Sequence, residues 1–157
     1  MEAKAKRKPI PKVAHTSQIV GERLCLDLTG RFNTPAYGGT RYALVIEDQY
    51  SKMTWTYPLK KKNCLHDHLN DLLAMNKTLG FPCRYLRMDN AGENIKACFS
   101  QDQAESLRIK YGFEVEQTTA YTPQQNGQVE RKISTLHDGA MAMCVDAKLS
   151  DATRAIL

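Results

Sequence analysis

The feature that most constrains the fold of this chain is the spacing of its apolar residues. They first recur at every second position, as in strands, and later at every third or fourth, as in helices. Apolar and less apolar residues alternate over residues 24–28, which predicts a strand with one buried face and with Asp27 on the opposite face. A nearly continuous apolar run at residues 41–48 and an alternating run at residues 53–60 predict two more strands. Turn-rich segments separate the three runs, so we expect them to form an antiparallel meander.

Helical spacing replaces this pattern after residue 63. The apolar residues of the next segment recur every three or four positions up to the Gly80-Phe81-Pro82 break, and they are Leu65, Leu69, Leu72, Leu73 and Leu79. A fourth strand is predicted at residues 83–89, a second helix at residues 100–112 and a fifth strand at residues 113–118. The predicted order, with a last long helix, is βββαβαβα.

The last helix is preceded by the segment AYTPQQNGQVERK, residues 120–132. Pro123 and the Asn126-Gly127 pair are turn formers, and apolar residues recur at helical spacing only from Val129 onward. We therefore expect a loop up to Gly127 and a helix that carries Glu130 near its first turn. The residues predicted to face the core from this helix are Val129, Ile133, Leu136, Ala140 and Met143.

Composition favours one globular domain. The chain has 157 residues, of which 42% are apolar, and no apolar run approaches the roughly 20 residues that span a bilayer. The segment after Met1 is charged, unlike a secretory signal, so we expect an intracellular protein with no membrane contact. The five cysteines are scattered without metal-ligand or disulfide spacing, which favours small core residues or inert thiols.

Most of the net charge of +5 lies in an N-terminal arm, where residues 1–12 carry five basic side chains and one acidic one. Pro9 and Pro11 favour an extended arm, which suits sequence-independent contact with phosphates, although a solvated linker that only aids solubility explains it equally well. We predict a basic linker arm at residues 1–18 and one core domain at residues 19–157. The helical piece at the C-terminal end stops without a cap, so the core looks truncated there.

The predicted elements bring three acids together. Three antiparallel strands followed by α-β-α-β-α is the order of the α/β ribonuclease H-like fold, which has a five-stranded mixed sheet flanked by helices. In such a sheet, Asp27 lies beside the end of the fourth strand at Asp89, and Glu130 can approach both. Mutual repulsion of three carboxylates is relieved by cations, and their hard oxygens favour Mg²⁺ or Mn²⁺, with two ions suited to in-line phosphoryl transfer.

Each acid also has an ordinary explanation when it is taken alone. Asp27 suits a strand residue that faces solvent, Asp89 suits a loop, and Glu130 suits the first turn of a helix. The joint occurrence of the three acids at these positions favours a shared site.

Four segments resemble the integrase core of copia-type LTR retrotransposons, within the wider DDE integrase and transposase group. They are DLTG at Asp27, GGTRYALVIEDQYSKMTWTYPLKKK, LRMDNAGEN and AYTPQQNGQVERK. The resemblance runs over nearly the whole chain and implies that Asp27, Asp89 and Glu130 form a catalytic triad that binds two Mg²⁺ ions. It further implies 3′ end processing of element DNA and its transfer into target DNA, by a homo-oligomer that acts in the nucleus if the host is eukaryotic.

The same resemblance identifies the segment from Tyr121 to Gly127 as a mobile active-site loop. The residues that it implies for DNA contact are Tyr121, Gln124, Gln125, Asn126, Gly127, Arg131 and Lys132. Lys132 is equally explained as a solvated helix charge, so its contact with DNA is a hypothesis.

Two departures from the family leave other functions open. The segment between Asp89 and Glu130 is longer than usual, and AKAKRKPIP near the N-terminus resembles the linker that follows the family's zinc-binding module, so we expect an excised or fragmentary core. Full integration needs flanking regions and a multimer, so an isolated core need not carry out strand transfer. The alternatives are a degenerate or domesticated core that binds nucleic acid or a partner without catalysis, and a ribonuclease H-like nuclease that acts on RNA:DNA hybrids.

Overall fold

A five-stranded mixed sheet forms the centre of the fold in the computed structural model, which describes residues 16–29, 31–32, 35–89, 101–118 and 123–148. The strands are β1 (Arg23–Leu28), β2 (Tyr42–Asp48), β3 (Thr54–Leu59), β4 (Tyr85–Asp89) and β5 (Glu114–Thr118). They lie in the order β3-β2-β1-β4-β5, with antiparallel pairing among the first three along the chain and parallel pairing of β1 with β4 and of β4 with β5. The predicted mixed sheet is confirmed.

Three α-helices occur in the described part of the chain: α1 (Leu65–Thr78), α2 (Gln101–Tyr111) and α3 (Pro123–Asp146). Short 3-10 turns lie at Tyr37–Gly39 and Lys62–Cys64. The predicted order of strands and helices is confirmed. The helical piece predicted after residue 149 lies outside the described residues, and the boundary at residue 18 stays a prediction. None of the described helices combines the length and the apolar character needed to cross a membrane.

One face of the sheet carries the main core, because the alternating leucines of β1 meet the apolar stripe of α1. Leu24 and Leu26 are fully buried against Leu69 and other leucines of α1. Leu79 was expected on this stripe but is 59% exposed. The helix ends at Thr78, so Leu79 no longer follows its period, and Gly80 then turns the chain with a φ of 82°.

The opposite face of the sheet carries a smaller cluster made by α3. Val129 is fully buried and packs with Cys25 of β1 and Val45 of β2, while Ile133 covers their edge. Strand alternation places Asp27 on this same face, two residues after Cys25. The second cluster therefore lies directly beside a predicted site residue.

Two expectations about the last helix are wrong. The segment up to Gly127 was expected to be a loop, but α3 begins at Pro123, so Glu130 lies in its third turn and not its first. Proline is accepted at the first helical position because the N–H that it lacks would have no helical partner there. Leu136 and Met143 were expected in the core but are 41% and 68% exposed.

The length of α3 explains the second error. Its 24 residues span about 36 Å, whereas a strand of six residues spans about 20 Å. The helix is too long to pack on the sheet along its whole length, which leaves Leu136 and Met143 exposed, although Cys144 near its end is buried.

Candidate catalytic site at one end of the sheet

The backbone register brings Asp27 and Asp89 to the same end of the sheet. Leu26 of β1 pairs with Met88 of β4 in the parallel ladder, and each predicted acid is the next residue along its strand. Asp89 also ends the pairing of β4 with β5, where it lies opposite Thr118. The side chain of Asp89 lies outside the described part of the structure, so its adjacency to Asp27 is a statement about the backbone.

The Asp27 carboxylate is half-buried and locally oriented. Its Oδ1 accepts a hydrogen bond of 2.8 Å from the backbone N–H of Leu28, and its cross-strand neighbour in β2 is Val45. Because Val45 belongs to the cluster that anchors Val129, the N-terminal half of α3 lies over this part of β1 and β2. Packing thus brings the helix that carries Glu130 to the strand that carries Asp27.

Glu130 itself is exposed and follows the buried anchor Val129. The next residue, Arg131, donates from Nε to the carbonyl oxygen of Gly127 at a distance of 2.8 Å. Within the described residues, no basic side chain forms an ion pair with Glu130. The carboxylate therefore stands beside the sheet with its charge available to a cation.

The residues predicted to contact DNA fall into three groups. Tyr121 lies outside the described residues, and for Gln124, Gln125 and Asn126 the structure describes the helical backbone only. Gly127, Arg131 and Lys132 lie on the same helix as Glu130, with Arg131 exposed and Lys132 half-buried. The structure therefore brings the six residues other than Tyr121 to one helix, and contact of all seven with DNA stays a prediction.

A charged network that sequence reasoning missed lies on the face of the sheet that carries Asp27. The Glu116 carboxylate of β5 forms two salt bridges, one from Oε1 to Arg23 at 2.9 Å and one from Oε2 to Arg87 at 2.8 Å. Arg23 also donates to Gln49 Oε1 at 2.8 Å, and its side chain is only 2% exposed. The sequence signal for this network was the presence of oppositely charged residues in different predicted strands. The partners can be identified only once the register of the strands is known. The network ties β1, β4 and β5 together within two residues of Asp89.

The two buried thiols of Cys25 and Cys83 are poor candidates for metal ligands. Burial raises the pKa of Cys25 to about 11 and that of Cys83 to about 12, so both are protonated at neutral pH. Thiolate is the form that binds zinc, so these buried groups do not offer a soft site.

The fit of the donors to a metal rests on their chemistry. In the part of the chain with described side chains, no group of three or more histidines, cysteines and acids is arranged to hold a metal ion. That search does not include the side chain of Asp89, one of the three predicted ligands. Oxygen donors from Asp27 and Glu130 suit Mg²⁺ or Mn²⁺, so both ions stay predictions that the donor chemistry fits.

Comparison with known proteins gives two informative likenesses, although no protein-family model matches the sequence. The chain is 29% identical over 124 residues to the Retrovirus-related Pol polyprotein from transposon TNT 1-94 of Nicotiana tabacum, which covers 78% of this chain and 9% of the polyprotein. It superposes with a TM-score of 0.64 on a chain of the simian T-cell lymphotropic virus intasome in complex with PP2A regulatory subunit B56 gamma.

The structural match is 17% identical in sequence and covers 90% of this chain and 48% of the viral one. The chain therefore spans about half the length of that structural relative and a small part of the polyprotein. Together, the sequence likeness and the shared sheet topology confirm the resemblance to a retrotransposon integrase core with the ribonuclease H-like fold.

Proposed function

We propose that this chain is the catalytic core of a DNA-integrating enzyme, a polynucleotidyl transferase that cuts and joins DNA at the sheet end carrying Asp27 and Asp89. The observation that supports this most directly is the register of β1 and β4, in which both acids follow the paired residues Leu26 and Met88. The packing of Val129 against the same sheet adds the helix that carries Glu130. Likeness to the retrotransposon polyprotein supports a role in DNA integration.

In this proposal Asp27, Asp89 and Glu130 together would hold two Mg²⁺ or Mn²⁺ ions. Such ions, when bound, neutralise the charge that develops on the attacking and leaving oxygens of an in-line displacement. The chain's own contribution is to position these side chains. The Leu28 amide orients Asp27, and the buried Val129 anchors the helix that carries Glu130 on the sheet.

The reaction consists of two displacements at phosphorus. In the first, water attacks a phosphodiester near the end of element DNA, the bond from phosphorus to O3′ breaks, and a 3′ hydroxyl is released. In the second, that hydroxyl attacks a phosphodiester of target DNA, and a new phosphodiester forms as a target O3′ leaves. One ester replaces another in this second step, so no separate energy source is needed.

We also propose DNA contacts for the N-terminal half of α3 and the segment before it. Arg131 and Lys132 follow Glu130 on α3, where their charges can meet phosphates next to the reacting one. The remaining proposed contacts are Tyr121, Gln124, Gln125, Asn126 and Gly127. The intasome likeness supports DNA and a homo-oligomer as partners of the full-length protein, and a nuclear site of action is proposed for a eukaryotic host.

The test is a nicking assay on a short DNA duplex with Mg²⁺ or Mn²⁺, combined with calorimetric titration of each ion. We expect D27N, D89N and E130Q to lose nicking and to weaken ion binding while keeping the far-UV circular dichroism of the parent chain. D102N is the matched control, because Asp102 is an exposed acid of α2.

Metal-dependent nicking that survives in all three variants would end the assignment. Failure of the folded parent chain to bind either ion, even with DNA present, would favour the alternative function. In that case the chain is a degenerate or domesticated core that binds nucleic acid or a partner without catalysis.

A further inference from the structure

Basic residues from three neighbouring backbone segments meet at the end of the sheet that carries the acids. The N–H of Phe32 donates to the carbonyl of Arg41 at 2.8 Å, and the N–H of Arg41 donates to the carbonyl of Leu59 at 2.9 Å. Arg31 therefore lies beside Arg41, and the lysine run that follows Leu59 begins beside them. We name this group the basic edge, and its members are Arg31, Arg41, Lys60, Lys61 and Lys62.

The basic edge lies a short distance from the candidate site along the strands. Val45 is the cross-strand partner of Asp27, and Arg41 precedes it by four residues, a rise of about 14 Å. Each strand of duplex DNA carries one phosphate per about 3.4 Å of its axis, so this rise corresponds to about four base pairs. A duplex with its reacting phosphodiester at Asp27 can therefore bring flanking phosphates to the basic edge.

Three of the five members of the basic edge present their charges to solvent. Arg31, Lys60 and Lys61 are exposed. No ion pair of these three residues or of Arg41 occurs in the described parts of the structure. Other cations differ: Glu116 neutralises two arginines of the sheet, and Glu105 pairs with an arginine of α2.

Lys62 is held at this edge by an aromatic side chain. Its Nζ lies 5.3 Å from the centroid of the Tyr42 ring, within the range of a cation–π interaction. Tyr42 follows Arg41 at the start of β2, and its side chain packs against the core on the α1 face, so Lys62 lies on that side of the edge. The result is a row of positive charge along this end of the sheet.

We infer that the basic edge binds the phosphate backbone of the duplex DNA that flanks the reacting phosphodiester. This inference rests on the proposed function, since the DNA held there is the substrate of Asp27, Asp89 and Glu130. Lysine and arginine side chains contact phosphates without reading bases, so the binding is independent of DNA sequence. Each phosphate contact releases counterions, which makes the affinity fall with salt.

The experiment measures the affinity of the whole chain for a short fluorescent DNA duplex over a range of salt concentrations, with EDTA present so that no divalent ion contributes. We expect the double variant K60Q/K61Q to reduce the slope of log affinity against log salt by about 1.8, since each lost phosphate contact removes about 0.9. The same reduction is expected on a duplex of different sequence.

The matched control is the double variant K52Q/K77Q. It removes the same charge from the opposite end of the sheet, where Lys52 lies in the turn between β2 and β3 and Lys77 in the last turn of α1. Every variant keeps the basic arm at residues 1–12, so the arm does not affect the comparison. We expect this control to keep the slope of the parent chain.

Equal slopes for the two double variants, or a parental slope for K60Q/K61Q, would overturn the inference. Competition by polyglutamate as effective as that by unlabelled DNA would overturn the assignment to nucleic acid. The D27N variant separates this inference from the proposed function, because it is expected to bind DNA in EDTA with the parental slope and to lose nicking. A chain that never nicks DNA but depends on Lys60 and Lys61 for binding would contradict only the catalytic proposal.

Discussion

At the scale of single residues, Glu116 explains how an arginine can be buried in the sheet. Arg23 is 2% exposed, and a buried guanidinium is tolerated when its charge is paired, as here, where Gln49 and Glu116 each accept from one of its two terminal nitrogens. Arg23 and Glu116 are 93 positions apart, so their pairing depends on strand register and not on any local pattern. This is why sequence reasoning found Asp27 on the same face and missed the network beside it.

Replacement of Glu116 tests this account. We expect E116Q to lower the free energy of unfolding by about 2 kcal/mol, because hydrogen bonds to charged groups contribute about 1.5 to 3 kcal/mol and two arginines lose their carboxylate. Urea denaturation measures the change. The control is E105Q, which removes an ion pair with Arg108 in which both side chains are about half exposed. Solvent screens that pair, so no measurable change is expected, and equal losses in both variants would contradict the account.

At the scale of secondary-structure elements, the order of strands and helices was predictable because each apolar period is a local property of the sequence. The start of α3 was not, because Pro123 and Gly127 occur both in turns and in the first turns of helices. The buried positions of α3 were predicted only in part. Val129 and Ile133 pack on the sheet, as predicted. The exposure of Leu136 depends on where the strands end, and the spacing of apolar residues in the helix carries no information about that.

Substitution of Gly127 distinguishes the helix from the expected loop. The structure has Gly127 inside α3 without a positive φ, and a Cβ there would meet nothing within 4 Å. We therefore expect G127A to raise the free energy of unfolding by about 0.5 to 1 kcal/mol, because alanine restricts the unfolded chain and favours the helix.

The matched control for this prediction is G80A. A Cβ at Gly80 also meets nothing within 4 Å, but its φ is 82°, so alanine there is strained by the backbone alone. We expect G80A to destabilise the chain by about 1 kcal/mol. Destabilisation by both variants in thermal or urea unfolding would mean that Gly127 adopts a turn, as the sequence pattern suggested.

At the scale of the whole molecule, charged groups of opposite sign share one end of the sheet. Asp27 and the backbone of Asp89 lie at the C-terminal ends of parallel strands, and the basic edge begins at the ends of β2 and β3 beside them. The opposite end exposes a group of apolar side chains, with Met53, Leu79 and Phe81 all at least 42% exposed around a groove. Because a duplex is polyanionic, it is expected to approach from the charged end, where the basic edge offsets the repulsion from the acids.

This arrangement predicts that a divalent cation stabilises the whole fold. In the proposed site, three carboxylates repel one another, and an ion that binds only the folded chain shifts the unfolding equilibrium by mass action, by about 2.7 kcal/mol at a hundredfold excess over its Kd. We therefore expect the melting temperature to rise with Mg²⁺ at constant ionic strength in the parent chain and in the D102N control. The rise should be lost in D27N, whose melting temperature without Mg²⁺ should equal or exceed that of the parent, since one repulsive charge is gone. An equal response of D27N and the parent to Mg²⁺ would place the ion elsewhere and remove Asp27 from the metal site.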